Sequence, residues 1–220
     1  MQQKSNPFTI KYLTTVAMLC AFAYAAVFFV RVPAVLFLKY EPKDVIITLG
    51  GFIFGPMTSL IISVIASLLE MITFSETGFI GLIMNVLSSC AFACTASYLY
   101  KKKRGPVGAL IGLGAGIAAV TTIMILWNYL ISPLYMAVPR AEIIKMLIPV
   151  FLPFNVIKAS LNSALVMLLY KPLFPALRSM NILPEGLSEE KTKGGLGIIL
   201  LALFVLATCI LILLSLQGII

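Results

Sequence analysis

Long apolar runs, separated by short polar or proline-containing segments, dominate the chain. An apolar run of about 20 residues can cross a bilayer as a helix, because a helix satisfies its own backbone hydrogen bonds. The pattern predicts seven membrane-embedded runs, approximately at 9–30, 45–54, 57–74, 79–100, 107–131, 146–170 and 196–216. The second run is short for a full crossing, since Gly55-Pro56 follows after about ten residues. The first run is too long for the apolar region of a signal peptide, so we expect it to remain in the protein.

The segments between these runs are expected at the two membrane surfaces. The loop at 31–44 carries two prolines and charges of both signs, and a second proline-containing loop is expected at 132–145. Pro149 and Pro153 are expected to bend the sixth helix or to delay its start. A polar stretch ahead of the last run predicts an exposed linker.

Composition and charge support a membrane protein and exclude a soluble enzyme. Hydrophobic residues make up 61% of the chain, against about 45–50% in soluble domains. Lys and Arg number 16 and Asp and Glu 8, an excess that in a multi-pass chain reports orientation, so we expect no nucleic-acid partner. Basic residues are about twice as frequent in the segments that an internal N-terminus would place inside. The pattern therefore predicts a cytoplasmic N-terminus and external loops at 31–44 and 132–145.

The inventory of reactive side chains offers little for catalysis or metal binding. The chain has no His, and its four Cys residues lie in apolar runs, where they resemble small hydrophobic residues. Cys90 and Cys94 share a helix face, but two thiols without a further ligand favour packing over a metal site. No Walker-type phosphate loop is present, so energy from ATP would have to come from a partner. We expect no catalytic residue, metal or cofactor.

Lys158 is the most informative polar residue, because an ammonium group inside a membrane run costs about 2.5–3.5 kcal/mol. Asn155 lies three residues earlier and shares nearly the same helix face, so the two side chains could point into one pocket. The alternative is that Lys158 reaches the external surface or pairs with a carboxylate of a loop.

Three further polar residues interrupt the apolar runs. Asn128 follows the only tryptophan, Trp127, which could itself belong to an interfacial aromatic belt. Asn85 and Glu70 lie in the fourth and third runs, and a carboxylate at membrane depth usually faces a cavity or a base. The alternative for Glu70 is solvation near the outer end of its run.

Small residues recur at intervals of four in two of the runs. Ala17, Ala21 and Ala25 form a smooth stripe on the first helix, and Gly108, Gly112 and Gly116 form another on the fifth. Such stripes allow close approach of a second helix, either from a partner or from within the chain.

Together these motifs resemble the substrate-binding (S) subunits of energy-coupling factor (ECF) vitamin transporters. The alanine stripe is similar to that of the whole family. The loop sequence Phe37-Leu-Lys-Tyr-Glu-Pro-Lys-Asp44, combined with Asn155-Val-Ile-Lys158, resembles the riboflavin-specific members. One departure is that the family usually has Asp-Pro-Ser-Asp where this chain has Glu41-Pro-Lys-Asp44.

The resemblance, which covers about residues 8–178, implies an all-α polytopic membrane protein with a six-helix core. It implies a substrate-binding domain at 1–178, a polar linker at 179–195 and an additional C-terminal transmembrane segment at 196–220. It also implies a subunit in the cell membrane of a prokaryote that captures riboflavin externally for an ATP-driven importer. The stripe of Ala17, Ala21 and Ala25 would contact the membrane coupling subunit, which in turn sits on two ATPases.

The resemblance also implies which residues bind the vitamin. Asn128, Asn155 and Lys158 would bond the polar edge of the isoalloxazine ring. Asn85, a polar residue inside an apolar run, is a further candidate for substrate binding. The cap and the ribityl side would be shaped by Lys39, Tyr40, Glu41 and Asp44.

Other functions remain open from the sequence alone. The chain could bind another vitamin, such as thiamine or biotin. It could be a membrane enzyme acting on a lipid or quinone through Glu70, Asp44 or Lys158, although its general acid–base groups are few. It could also be a structural scaffold.

Overall fold

The computed structural model describes residues 10–35, 38–73, 77–179 and 196–216. A β-hairpin of two antiparallel strands, β1 (Val32–Val35) and β2 (Leu38–Tyr40), follows the first helix. The helices are α1 (Ile10–Phe29), α2 (Lys43–Phe54), α3 (Pro56–Thr73), α4 (Gly78–Lys102), α5 (Pro106–Met136), α6 (Arg140–Met146), α7 (Leu152–Ser179) and α8 (Leu196–Leu216). A π-helical turn, Leu147–Phe151, joins α6 to α7.

Six helical stretches in the described part of the chain are long and apolar enough to cross a membrane. They are Ile10–Phe29, Pro56–Thr73, Gly78–Lys102, Pro106–Met136, Arg140–Tyr170 and Gly197–Ser215. α2 has only 12 residues, as expected from the early Gly55-Pro56 break. The predicted all-α polytopic fold, with a six-helix core of α1 to α5 and α7 and an additional C-terminal helix, is confirmed.

α2 is the central helix of the bundle, although it is too short to cross. Ten of its 12 residues are buried, and it packs against α1, α3, α4 and α7. Gly55 ends it with φ +99°, a conformation that favours glycine, and Pro56 begins α3 where its missing N–H costs nothing. At its other end, the first turn of α2 places the buried side chains of Lys43 and Asp44 directly after the hairpin.

The glycine stripe of α5 packs against α4, so this stripe serves contacts within the chain. A Cβ at Gly112 would lie 2.6 Å from the carbonyl oxygen of Ala96. A Cβ at Gly116 would lie 2.8 Å from the carbonyl oxygen of Phe92. We call this contact of α4 and α5 backbones, formed at Gly112 and Gly116, the glycine seam.

Two connecting segments differ from their predictions. The segment at 31–44 contains the β-hairpin, because Val32 pairs with Tyr40 and Pro33 with Lys39. The segment at 132–145 is mostly helical, since α5 continues through Pro133 to Met136 and α6 begins at Arg140. Pro149 lies in the π-helical turn, which absorbs the missing N–H, and α7 starts at Leu152 directly before Pro153.

The two ends of the described chain lie against different helices. α1 packs on α2 and α3, and it leaves Ala17 and Ala21 exposed and Ala25 half-buried. α8 packs mainly on α7 and also contacts β1. The polar linker predicted at 179–195 falls almost entirely outside the described residues, so the division into domains stays a prediction.

Candidate functional site

A cavity of about 170 Å³ lies beneath the hairpin, and α3, α4, α5, the π-helical turn and α7 supply its other walls. Six of the eight residues predicted to bind substrate line this cavity: Lys39, Glu41, Asn85, Asn128, Asn155 and Lys158. They come from four separate elements and the loop after β2, so only the folded chain brings them together. Lining residues that the sequence did not single out include Arg31, Leu38, Met84, Met124, Phe151 and Phe154.

Tyr40 does not line this cavity, although Leu38 and Lys39 of the same strand do. Its neighbours Lys39 and Glu41 face the cavity, whereas the buried Tyr40 hydroxyl donates to Oδ1 of Asn162 on α7 at 2.8 Å. Burial, together with the negative charge of Asp44, raises the pKa of Tyr40 above its ordinary value. The hydroxyl therefore stays a protonated donor that ties β2 to α7.

Asp44 lies behind the main cavity, in the wall of a small neighbouring space that Asn155 and Lys158 also line. Its Oδ1 accepts a hydrogen bond of 2.5 Å from the Ser89 hydroxyl, and its Oδ2 accepts one of 3.4 Å from Nδ2 of Asn162. Asp44 thus joins α2 to α4 and α7. Neither Ser89 nor Asn162 could be recognised from the sequence as its partner.

Asn128 and Asn155 present amide groups on neighbouring walls of the cavity. Nδ2 of Asn128 donates to the Met124 carbonyl at 2.7 Å, and its Oδ1 accepts from Ser132 at 2.8 Å. Nδ2 of Asn155 donates to the carbonyl of Phe151 in the π-helical turn, also at 2.7 Å. Each amide has two N–H donors and two oxygen lone pairs, so both retain capacity for a ligand.

Lys158 lies half-buried in the same cavity, close to Asn155. It forms no hydrogen bond and no ion pair with any residue that the structure describes. It is near enough to Glu41 for its charge to lower the pKa of that carboxyl. The structure therefore does not show the ion pair between Lys158 and a loop carboxylate that was one alternative from the sequence.

Glu70 is buried and paired, so the alternative of a solvated Glu70 is wrong. Its Oε2 accepts from Nζ of Lys43 at 2.5 Å, and its Oε1 accepts from Nδ2 of Asn85 at 3.0 Å. Lys43 Nζ also lies 3.4 Å from Oε2 of Glu41, whose Oε1 lies 3.0 Å from Nε of Arg31. We call these five side chains the cap ion network, because they connect the hairpin region to α2, α3 and α4.

Glu41 is the member of the cap ion network that belongs to the loop after β2. Burial alone would raise its pKa, but the positive charges of Lys43, Lys158 and Arg31 outweigh burial and lower the pKa below 4.5. Glu41 therefore remains ionised at neutral pH. The sequence singles out Glu41 as a ligand but gives no sign of the two cations, Arg31 and Lys43, that hold it.

Two smaller expectations can be checked against the structure. Trp127 is half-buried and packs against the main core, and its place in an interfacial belt stays a prediction. Cys90 and Cys94 are half-buried thiols, and no group of three or more metal-ligating side chains occurs among the described residues.

Comparisons with known proteins place these features in context. Residues 11–170 match the family described as ECF transporter, substrate-specific component. Riboflavin transporter RibU of Staphylococcus aureus (strain TCH60) is 30% identical over 181 residues, which are 78% of this chain and 95% of that protein. Riboflavin transporter FmnP of Bacillus subtilis (strain 168) is 28% identical over 189 residues, covering 79% and 98% of the two chains. A solved structure described as the S component of a bacterial ECF transporter matches with a TM-score of 0.64 and 29% identity, covering 76% of this chain and 97% of its own.

Proposed function

Because the chain belongs to the substrate-specific components of ECF transporters, we propose that it binds riboflavin in the cavity beneath the hairpin and delivers it to a shared coupling module. The observation that carries this proposal is the convergence of Asn128, Asn155 and Lys158 on one cavity whose walls are partly apolar and partly polar. Lys158 has an ammonium group that no described residue pairs, and both amides have spare donors and acceptors.

The chemistry of the walls matches the three parts of a riboflavin molecule. Met84, Met124, Phe151 and Phe154 offer apolar surface to the flat ring system. The amides and Lys158 offer donors and acceptors to the polar edge of the ring. Lys39, Glu41 and Asn85 lie on the hairpin side, where the ribityl hydroxyls would bind. Asp44 and Tyr40 would support the site from behind, through Ser89 and Asn162.

We infer from the volume of the cavity that the hairpin moves when ligand enters. Small-molecule sites usually enclose about 300–1,000 Å³. The cavity here encloses about 170 Å³. An outward shift of the hairpin, which forms the wall opposite the helices, would admit a three-ring molecule and would then close over it.

The alanine stripe of α1 is the proposed contact with the membrane coupling subunit. Ala17 and Ala21 are exposed, and no large side chain on that stripe would prevent a partner helix from packing closely. Two partner ATPases would supply the energy, since the chain itself has no Walker-type loop. In the cell membrane, the excess of basic residues favours an internal N-terminus and a substrate site on the external side.

A fluorescence titration tests the proposed function directly. Trp127 is the only tryptophan and directly precedes Asn128, so a flavin in the cavity should quench its emission. Purified protein in nanodiscs is titrated with riboflavin, and thiamine and biotin serve as competitors. We expect saturable quenching at submicromolar riboflavin that neither competitor reverses. Absence of quenching, or displacement by thiamine or biotin, would reject riboflavin as the substrate. Conversion of the flavin to a product would support the enzyme alternative.

A further inference from the structure

The proposed function gives α8 no role in substrate binding or in contact with the coupling subunit. It lies beyond the family match, which ends at residue 170. It packs mainly against α7 and contacts β1, whereas the alanine stripe lies on α1 among α2 and α3. α8 is therefore placed next to the hairpin and does not belong to the helices that border the stripe.

The C-terminal half of α8 contributes to a small apolar cluster that includes residues of both hairpin strands. Ala34 of β1 and Tyr40 of β2 are buried in it together with Cys209 of α8. Leu206 and Leu213 of α8 pack against the same cluster and lie two turns apart along one face, with Cys209 between them. α7 completes it with Phe154, Ile157 and Leu161. We call it the brace cluster.

The N-terminal half of α8 borders a second cavity. A cavity of about 320 Å³ lies between α5, α7 and α8, with Leu113, Ala164 and Ala202 among its lining residues. Close packing of apolar atoms supplies most of the attraction between helices in a membrane. α8 therefore meets the hairpin through the brace cluster near its C-terminal end, while Ala202 in its N-terminal half is buried in the main core.

We propose that α8 is a brace that holds the hairpin closed over the substrate cavity and slows its opening. Lys39 and Glu41 line the cavity, Tyr40 is buried in the brace cluster, and Leu38 contacts both, so α8 packs against the strand that forms one wall of the site. Opening the hairpin requires Ala34 and Tyr40 to leave the brace cluster. The identity of the trapped ligand rests on the proposed function, but the brace itself does not.

A matched pair of double variants tests the brace. Leu206→Ala/Leu213→Ala weakens the brace cluster, and Leu203→Ala/Leu211→Ala removes equal volume from residues of the same helix that are 45% and 57% exposed. Hydrogen exchange in nanodiscs, without ligand, is measured for the amides of β1 and β2 and, as a check on the fold, of α4. Riboflavin release rates are measured on the same samples.

We expect the cluster variant to exchange its hairpin amides several-fold faster and to release riboflavin several-fold faster, with α4 unchanged. The control variant should match the wild type. Equal hairpin exchange in the two variants would overturn the proposal. If the cluster variant aggregates, Leu213→Ala alone against Leu211→Ala makes the same comparison. If the wild type binds no riboflavin, the proposed function fails, while the exchange comparison still decides whether α8 is a brace.

Discussion

Nζ of Lys43 lies 2.5 Å from Oε2 of Glu70, and both side chains are almost completely buried. The pair joins the first residue of α2 to the last turn of α3. Glu41 extends it to the hairpin, and Asn85 extends it to α4. A buried ion pair adds little net stability over apolar side chains, but loss of one partner leaves a charge without compensation. The pair therefore specifies how these elements pack together. Replacing only one of its two residues should destabilise the fold.

Replacing Lys43 with Met should lower the free energy of unfolding by about 3–5 kcal/mol, because Glu70 would stay buried without its cation. Equilibrium unfolding in detergent measures the change. Lys101→Met, at an exposed site, is the control and should stay within about 0.5 kcal/mol of wild type. The double variant Lys43→Met/Glu70→Met should recover most of the loss. A double variant as unstable as Lys43→Met would contradict the pairing.

Glu41 should make stability depend on pH on the acid side. Its pKa in the folded protein is below the 4.5 of an unperturbed glutamate, so its contribution is fully present above 4.5. That contribution declines as pH falls from 4.5 and is gone once pH is below the folded pKa. Glu41→Gln should therefore be less stable than wild type at pH 7, and the gap should narrow below 4.5. Thermal unfolding across pH 3–7 measures this, and a gap that is constant over the range would contradict it.

Lys158→Met should weaken riboflavin binding by about 1–3 kcal/mol, the range for losing a charged hydrogen-bond donor. Titration calorimetry or quenching of Trp127 measures the affinity. Lys145→Met is the control, because Lys145 is an exposed residue of α6 that does not line the cavity. A loss below about 0.3 kcal/mol would show that Lys158 does not contact the ligand.

Ala21→Trp should abolish uptake but leave binding intact, because an indole on the exposed alanine stripe blocks close approach of a partner helix. Binding is measured on the isolated protein, and uptake in cells that contain the complete transporter. Ala118→Trp places the same bulk on an exposed position of α5 and should retain both activities. Loss of binding in Ala21→Trp would instead place this residue in the structural core.

Gly112→Ala should destabilise the protein by about 1–3 kcal/mol, because its new methyl group would lie 2.6 Å from a backbone oxygen of α4. Gly114→Ala is a matched control two residues along the same helix, with no atom within 4 Å of its new Cβ. It should be neutral or stabilising by up to about 1 kcal/mol, since alanine is the better helix former. The unfolding midpoint of Gly112→Ala in detergent should therefore lie below that of Gly114→Ala. Equal midpoints would contradict the seam.

The helices could be predicted well from the sequence, because long apolar runs leave few other structures open to a chain in lipid. The Gly55-Pro56 pair likewise indicates a short α2, since it interrupts the apolar pattern after about ten residues. The placement of Asn155 and Lys158 in one cavity follows from helical spacing alone. These features are all local in sequence.

Features that depend on distant contacts could not be predicted in the same way. Tyr40 and Asn162 are 122 positions apart, and nothing in either neighbourhood indicates the other. Lys43 and Glu70 are 27 positions apart in the sequence, so Lys43 resembles an ordinary lysine of an exposed loop. The hairpin is short and contains Pro33, and its strands are held by packing as well as by pairing. Only the folded chain reveals which face of β2 meets the cavity.

The glycine seam has a consequence for ligand selection. Asn85 belongs to α4 and Asn128 to α5, so the seam sets the distance between two walls of the cavity. A contact between backbones has no rotamers to change, whereas a contact between side chains can rearrange to accommodate a bulkier molecule. The spacing of α4 and α5 thus stays fixed when a ligand binds, and the hairpin is the wall that can move. Changes in ligand selectivity should therefore come from substituting the cavity-lining side chains of α4 and α5, while Gly112 and Gly116 are kept.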